Sequence, residues 1–443
     1  MKFGLRWSVL GCVMGMSGLL SACSSDDADD AANTPSGPDL RGEDLSGTDQ
    51  TGRDFSQADM TGVDLSDAEV GDADFSGAVL DGANLSGVDL SEANLTGVQA
   101  QDLAACPAEL PRDWICADLG ATGHTLIGPS TVLEGVDLTG ALMTERAVDG
   151  LQAIHLVACP EELPLQWECL DLPATGLTLV GPNADLGGLD LREADFSSMN
   201  DLEDVSFAGA NLTGAIFAPE ARLQDADFTG ANLTGVDLGD ASLQDVAASQ
   251  LGACPEQLPA AWNCVELGAS GYTLVGPRAD LSDLDLAGVD LSNQNLREVD
   301  FDGADLTGAS LSGADLENAD LQQATLQGLR ATELESCPES LPNGWRCIER
   351  ILVGPGADLH GVDLALTDLT RVDLAGTNLT EADLSDADLT GVDLRAANLT
   401  RADLSGANFT DAELRDVVTT DCTWADTTCP DGSNSDDNNG TCL

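Results

Sequence analysis

Thirteen cysteines, three histidines and 78 Asp and Glu are the residues of this chain that could do chemistry. Eight of the cysteines lie in four copies of one motif: CPAELPRDWIC (Cys106 to Cys116), CPEELPLQWEC (Cys159 to Cys169), CPEQLPAAWNC (Cys254 to Cys264) and CPESLPNGWRC (Cys337 to Cys347). The two cysteines of a copy are close to each other and far from the rest. Of the many pairings eight cysteines allow, the expected ones are therefore Cys106–Cys116, Cys159–Cys169, Cys254–Cys264 and Cys337–Cys347. Closing so short a loop contributes about 2.8 kcal/mol in the chain-entropy model. Zinc is the rival reading, but nine intervening residues with no histidine nearby is poor ligand spacing. His124, His155 and His360 sit in non-equivalent places without a triad partner near in sequence, and no nucleophile elbow, phosphate loop or dinucleotide fingerprint appears. The Trp of each motif (Trp114, Trp167, Trp262, Trp345) could stack on a sugar. Flanked by prolines and a disulfide, it suits better the small core of its own segment. No catalytic residue and no cofactor is assigned, and an enzyme is not expected.

Such groups act only where elements hold them, and here the elements repeat. From Ala357 to Val417 an apolar residue recurs every fifth place: Leu359, Leu364, Leu369, Leu374 and onward to Phe409 and Leu414. Two places before each stands a small or β-branched residue (Ala357, Val362, Thr367), and between them a carboxylate or amide (Asp358, Asp363, Asp368). A period of five belongs to neither helix nor ordinary strand. It fits four short extended segments per coil, each turning a corner, so that residue i stacks beneath residue i+20. With one Tyr, nine Phe and six Trp, large aromatics cannot make the core. Leu and Phe would fill the axis, Ala, Val or Thr the remaining corner, and the next two residues, often Ser/Thr then Gly, exposed tight turns.

GADLTGASLSGADLENADL (Gly303 to Leu321) and GVDLRAANLTRADLSGANF (Gly391 to Phe409) resemble the pentapeptide repeat family, whose pattern is A(D/N)LXX. The resemblance implies an all-β fold, a right-handed quadrilateral parallel β-helix with Leu/Phe and the small residue pointing in. The cysteine motifs would stand between repeat blocks as disulfide-closed hairpin arms, each returning through a Gly-Pro such as Gly276-Pro277. The fourth is five residues shorter between its second cysteine and the Gly-Pro.

The expected organisation is a lipoprotein signal peptide (1–22), an acidic tether (23–37), repeat blocks over 38–100, 131–155, 184–250, 279–333 and 357–424, arms over 101–130, 156–183, 251–278 and 334–356, and a disulfide-closed cap (425–443). One continuous rod and a string of shorter rods both satisfy this order. The first block opens on departures, with Glu43, Thr48 and Arg53 in small-residue places and Gln50 in a Leu place, as repeats that cap a core do. The third carries one-residue insertions before Leu202 and Leu223.

Stacking at i+20 would align the outward carboxylates in columns: Asp363, Asp383, Asp403; Asp368, Asp388, Asn408; Asp373, Asp393, Glu413. Two charges about 4.8 Å apart in water repel by roughly 0.9 kcal/mol, to be offset by core burial, screening or bound cations. Asn378 over Asn398 would hydrogen-bond up the stack. No metal site is assigned. Carried forward from Leu414, the phase puts Cys422 in an inward small-residue place, so Cys429–Cys442 is expected to close the capping loop and leave Cys422 a buried thiol. Asn434, Asp436 and Asn438 alternate like the start of an EF-hand loop, but Gly440 comes one place late and the terminal Glu is missing.

Met1 to Cys23 reads as an export signal, with a basic start (Lys2, Arg6) and an apolar middle (Val9 to Leu20). Leu20-Ser21-Ala22-Cys23 looks like the lipobox of bacterial lipoproteins. That resemblance implies a diacylated Cys23 at the mature N-terminus and a lipid anchor in the cell envelope, at the outer membrane or cell surface. Disulfides agree with an oxidising compartment. The formal charge of −61 cannot neutralise phosphates, so nucleic acid is not an expected partner. The sequence thus describes a non-catalytic envelope lipoprotein, a rigid acidic β-solenoid that scaffolds or binds an envelope or extracellular protein. The alternative is a surface protein, calcium-binding or adhesin-like, whose Asp columns hold Ca2+. A minor alternative, a DNA mimic inhibiting a topoisomerase, follows from the family resemblance and sits poorly with export.

Overall fold

The computed structural model describes residues 37–119, 123–267 and 271–443. The expected signal, Cys23 and the tether up to residue 36 lie outside the described residues.

Residues five apart can share one core only if the chain turns between them. At Phe55-Ser56-Gln57-Ala58 the Ala58 N–H donates to Phe55 O (3.0 Å) and Gln57 lies at φ 57°. This is a tight turn whose third residue must be left-handed. Gly62, Asp67, Glu381 and Arg401 occupy the same place at φ between 55° and 68°, which explains the Gly, Asp and Asn found there. Between turns, single residues bridge in parallel to the residue twenty places on: Asp39 to Asp59, Asp363 to Asp383, Asp383 to Asp403. Positions 358, 363, 368 and 373 are bridged before the first column returns at Asn378, so each coil has four such positions.

The longer strands are β1 (Ile115–Asp118), β2 (His124–Ile127), β3 (Val132–Glu134), β4 (Gln152–Ile154), β5 (Glu168–Leu172), β6 (Gly176–Val180), β7 (Asp195–Phe196), β8 (Ile216–Phe217), β9 (Asn263–Glu266), β10 (Tyr272–Val275), β11 (Arg346–Ile348) and β12 (Ile351–Val353). Parallel pairs β3–β4 and β7–β8 belong to the coil. The insertions of the third block lengthen a coil by one residue without breaking it, as Asp185 bridges Ser206 and Ser206 bridges Asp227. Inside, Phe55 stacks on Phe75 at 5.1 Å between centroids and Phe207 on Phe228 at 5.0 Å, each pair one coil apart. Burying a Leu or Phe contributes about 1.5–3 kcal/mol. At the first coil, buried Gln50 donates to Thr48 Oγ1 (2.8 Å) and accepts from Arg53 (2.6 Å), while Arg53 lies 5.2 Å over the Phe55 ring. The departures of the opening repeats make a polar plug.

Each cysteine motif proves to be half coil and half hairpin. Ala253 bridges Asn232 and Gln257 bridges Asp237, so the first cysteine still lies on the coil. After the Trp the chain runs out and back as the antiparallel pairs β1–β2, β5–β6, β9–β10 and β11–β12. The coil then resumes. Gly150 N–H donates to Asn183 O and Asp245 N–H to Arg278 O (both 2.8 Å), 33 residues on, where Gln57 N–H reaches Ser76 O only 19 on. At the fourth motif Gly328 donates to Gly356 (2.8 Å), 28 residues on, which accounts for its missing five. The backbone ladder therefore continues across the second, third and fourth hairpins.

Bridges also fix the side from which each hairpin leaves. The second and third return at Asp185 and Asp280, members of one column that runs Asp185, Ser206, Asp227, Ala247, Asp280. Val132, where the first returns, pairs with Gln152, the coil-mate preceding that column. The fourth leaves from Asp290, Ser310, Arg330 and returns beside them at Asp358, two bridged positions of the four away. Among the described residues the buried side chains form three clusters that change over at the first and fourth hairpins. Leu126 belongs to the first cluster and Ile127 to the second; Leu352 belongs to the second, with Ile351 and Val353 in the third. One strand serves two cores through its alternating sides.

Candidate interaction surfaces

The column residues do more than face solvent. Asp383 Oδ1 accepts the N–H of Ser385 (2.9 Å), Asp403 Oδ1 that of Ser405 (3.0 Å), and Asp363, Asp368, Asp373, Asp388 and Asp393 bond likewise two residues on. Where that residue is Ser or Thr its hydroxyl also donates, as Ser405 Oγ does to Asp403 (2.6 Å). Each carboxylate thus closes its own turn. These bonds hold the Asp44, Asp89, Asp305, Asp368 and Asp383 carboxyls below the usual range, the hydroxyl contributing most. The sequence reading missed this role. Its signal was the Asp-Leu-Ser/Thr spelling.

Repulsion along the columns is relieved in two ways. Amides donate to the carboxylate one coil back: Asn84 to Asp64 (3.1 Å), Asn94 to Asp74 (3.0 Å), Asn378 to Asp358 (2.8 Å) and Asn408 to Asp388 (3.3 Å). The expected Asn378–Asn398 bond is replaced in this way, because Asn378 and Asn398 each spend Oδ1 on the N–H and hydroxyl of Thr380 and Thr400. Arginines span rungs elsewhere. Arg41 pairs with Asp39 (2.8 Å) and Asp59 (3.3 Å), holding Asp39 down at about 2, and Arg395 joins Asp393 to Glu413. Two carboxyls go the other way. Burial raises Asp81 and Asp204, with the charge of Asp225 adding to Asp204.

Five disulfides stand among the described residues. Cys106–Cys116, Cys159–Cys169, Cys254–Cys264 and Cys337–Cys347 have Cα atoms 5.9 to 6.0 Å apart, and Cys429–Cys442 has them 5.1 Å apart. The cap loop is pinned by Ser435, buried, which donates N–H to Thr427 O (2.8 Å). Asn434, Asp436 and Asn438 do not converge as calcium ligands: Asn434 accepts from Asp436 N–H (2.9 Å) and donates to Asp426 (2.8 Å), while Asn438 donates to Ser433 (2.5 Å). Cys422 was expected to be buried and is only half-buried, since its coil is the last to stack. Its thiol donates to Leu399 O (2.8 Å), and burial raises its pKa. His155 meets Glu134 (3.2 Å) and His360 the Thr380 carbonyl (2.8 Å). Within the first motif the expectation of no nearby histidine fails: His124 pairs across the hairpin with Asp118.

The family model for pentapeptide repeats matches in eight copies, among them residues 58–97, 182–218, 201–245, 278–313, 300–333, 357–395 and 387–417. The chain belongs to the pentapeptide repeat family. No curated protein matches it. Among solved pentapeptide repeat structures, HetL, involved in heterocyst differentiation regulation in the cyanobacterium Nostoc sp. strain PCC 7120, is 19% identical over 89% of this chain and 91% of its own, at TM-score 0.14. A family member of the Arabidopsis thaliana thylakoid lumen is 26% identical over 31% and 69%, at TM-score 0.10. QnrB1, a plasmid-mediated fluoroquinolone resistance protein, is 17% identical over 54% and 90%, at TM-score 0.11. No helix of the described residues is long and apolar enough to cross a membrane.

Proposed function

We propose that this chain is a non-catalytic, lipid-anchored protein of the cell envelope whose acidic coil acts as a rigid scaffold for an envelope or extracellular protein. In this reading the coil is right-handed and quadrilateral, as in its family, and the disulfide hairpins are arms standing off it. The observation that carries the scaffold role is that the column aspartates are fixed by their own turns coil after coil, so much of a regular acidic surface is held without mobile side chains. Anchoring rests on the lipobox-like Leu20 to Cys23.

Two measurements test this. Metabolic labelling with a fatty acid should mark the full chain and send it to the membrane fraction, and Cys23→Ala should abolish both; equal labelling of the two would sink the anchor. Thermal unfolding in EDTA and in millimolar Ca2+ at matched ionic strength should give the same curve. A rise of many degrees specific to Ca2+ would replace the scaffold with a calcium-dependent surface protein. The columns argue against that rise, because one oxygen of each Asp is already engaged and Ca2+ takes roughly six to eight.

A further inference from the structure

The four hairpins are not chemically equivalent. In the first, His124 stands directly across from Asp118, on the same face as Cys116, and Leu103 bridges its backbone from the other side. One nitrogen of His124 and the sulfurs of Cys106 and Cys116 lie within 4.8 Å of one another. The imidazole Nδ1 is buried without a hydrogen bond, and Asp118 Oδ1 at 3.8 Å is too far to supply one. A buried ring nitrogen without a partner calls for an explanation. Elsewhere the same place holds Leu177, which bridges Leu156, and Tyr272, which bridges Leu251. Neither can ligate as an imidazole does.

We propose that the first hairpin is a reductively unlocked site for a thiophilic divalent cation of the zinc class, held by Cys106, Cys116 and His124. While the disulfide stands, its sulfurs are poor ligands and the site is locked. A dithiol reductant opens it: the Cys106–Cys116 bond breaks, the dithiol closes its own disulfide, and its two protons pass to the two cysteines. The cation then binds both sulfurs as thiolates and releases those two protons, with no change in its own oxidation state. Tetrahedral zinc bonded to sulfur at about 2.3 Å and to nitrogen at about 2.0 Å separates its ligand atoms by roughly 3.6–3.8 Å. The imidazole nitrogen and the sulfurs, within 4.8 Å of one another, need to close by roughly 1.2 Å at most, apart from the parting of the sulfurs. A fourth position is left for water.

Cobalt titration of the full chain, as isolated and after reduction with a phosphine, tests this. The reduced protein is expected to develop a thiolate-to-cobalt charge-transfer band that saturates at one equivalent and is displaced by zinc. The protein as isolated should give none. His124→Leu, which introduces the residue of the second hairpin, should weaken uptake by more than the roughly 10–100-fold that loss of an outer-shell partner brings. Tyr272→Leu should change nothing, and Leu177→His should add a second equivalent. Far-ultraviolet circular dichroism checks that each variant keeps the coil. A reduced parent without the band, or a folded His124→Leu variant that binds as the parent does, overturns the proposal.

Discussion

Trp262 lies flat against Gly276: a Cβ built on that glycine would fall 2.3 Å from the indole ring. The same pair recurs as Trp114 with Gly128, Trp167 with Gly181 and Trp345 with Gly354. Each Gly-Pro turn is thus clamped by the Trp of its own motif. Gly276→Ala should cost about 1–3 kcal/mol through overpacking and shift the Trp262 emission. Gly288, at φ 71° with nothing near its Cβ direction, gives the contrast. Gly288→Asn should stay within about 0.5 kcal/mol, because Asn accepts the left-handed region and meets no neighbour. Equal losses at the two positions would remove the clamp.

The columns predict how stability depends on salt. Asn378 donates to Asp358, so Asn378→Asp removes a donor and adds a like charge. It should cost about 0.5–1.5 kcal/mol at low ionic strength, with part recovered at roughly 1 M salt. Asp383→Asn, in a column of carboxylates, should do the reverse. Urea denaturation at two salt concentrations reads both.

Acid should act through the turns. Carboxyls such as Asp54, Asp89 and Asp383 are held below their ordinary 3.8 in the folded chain, so the unfolded chain takes up protons first as pH falls. Their stabilisation is fully present above that value and is lost as pH falls toward about 2, where Asp39 titrates. Asp81 and Asp204, raised by burial, have the opposite sign and favour a mildly acidic medium. The melting temperature should therefore hold level or rise slightly from about pH 7 to about pH 5, then drop below about pH 4. Asp81→Asn, which keeps the acceptor for Gln101 N–H, should raise it at pH 7. A melting temperature that climbs all the way to about pH 2 would mean that repulsion along the columns outweighs the turn bonds.

Cys422 is the free thiol among the described cysteines. Half-buried, hydrogen-bonded to Leu399 and with its pKa raised, it should alkylate slowly at pH 8 in the folded protein and fast in denaturant. Peptide mass mapping reads the label. Rapid labelling when folded would show the last coil to be open.

How far the sequence foretold this molecule depends on whether a residue's role is periodic. The coil was legible because Leu359, Leu379 and Leu399 repeat in register, and a five-residue period leaves few ways to bury them. Gln50 and Arg53 were legible as a cap because they broke that register. The turn bonds of Asp383 were not, since the same side chain read as a solvated charge serves equally as an acceptor two residues back. Nor was the setting of His124. It stands eight places after Cys116, and only the pairing of Asp118 with His124 across the hairpin brings them together. The motifs read as whole arms because sequence cannot tell that Ala253 and Gln257 still bridge the coil beneath.

The third hairpin rejoins the coil at Asp280, in the column of Asp300 and Asp320, and the fourth lies on the column of Asp290, Ser310 and Arg330. Along the chain, five residues advance it by one of the four bridged positions and twenty bring it back to the same column, one storey higher. The repeat count between two hairpins is therefore an azimuth. Removing ten residues from the fourth block would swing the last hairpin from the back of the column to the front, beside the third, without altering a single buried contact type. Gain or loss of one pentapeptide would point it sideways. A lineage that duplicates and deletes these units has in its hands a compass for its hairpins, set in steps of one bridged position in four.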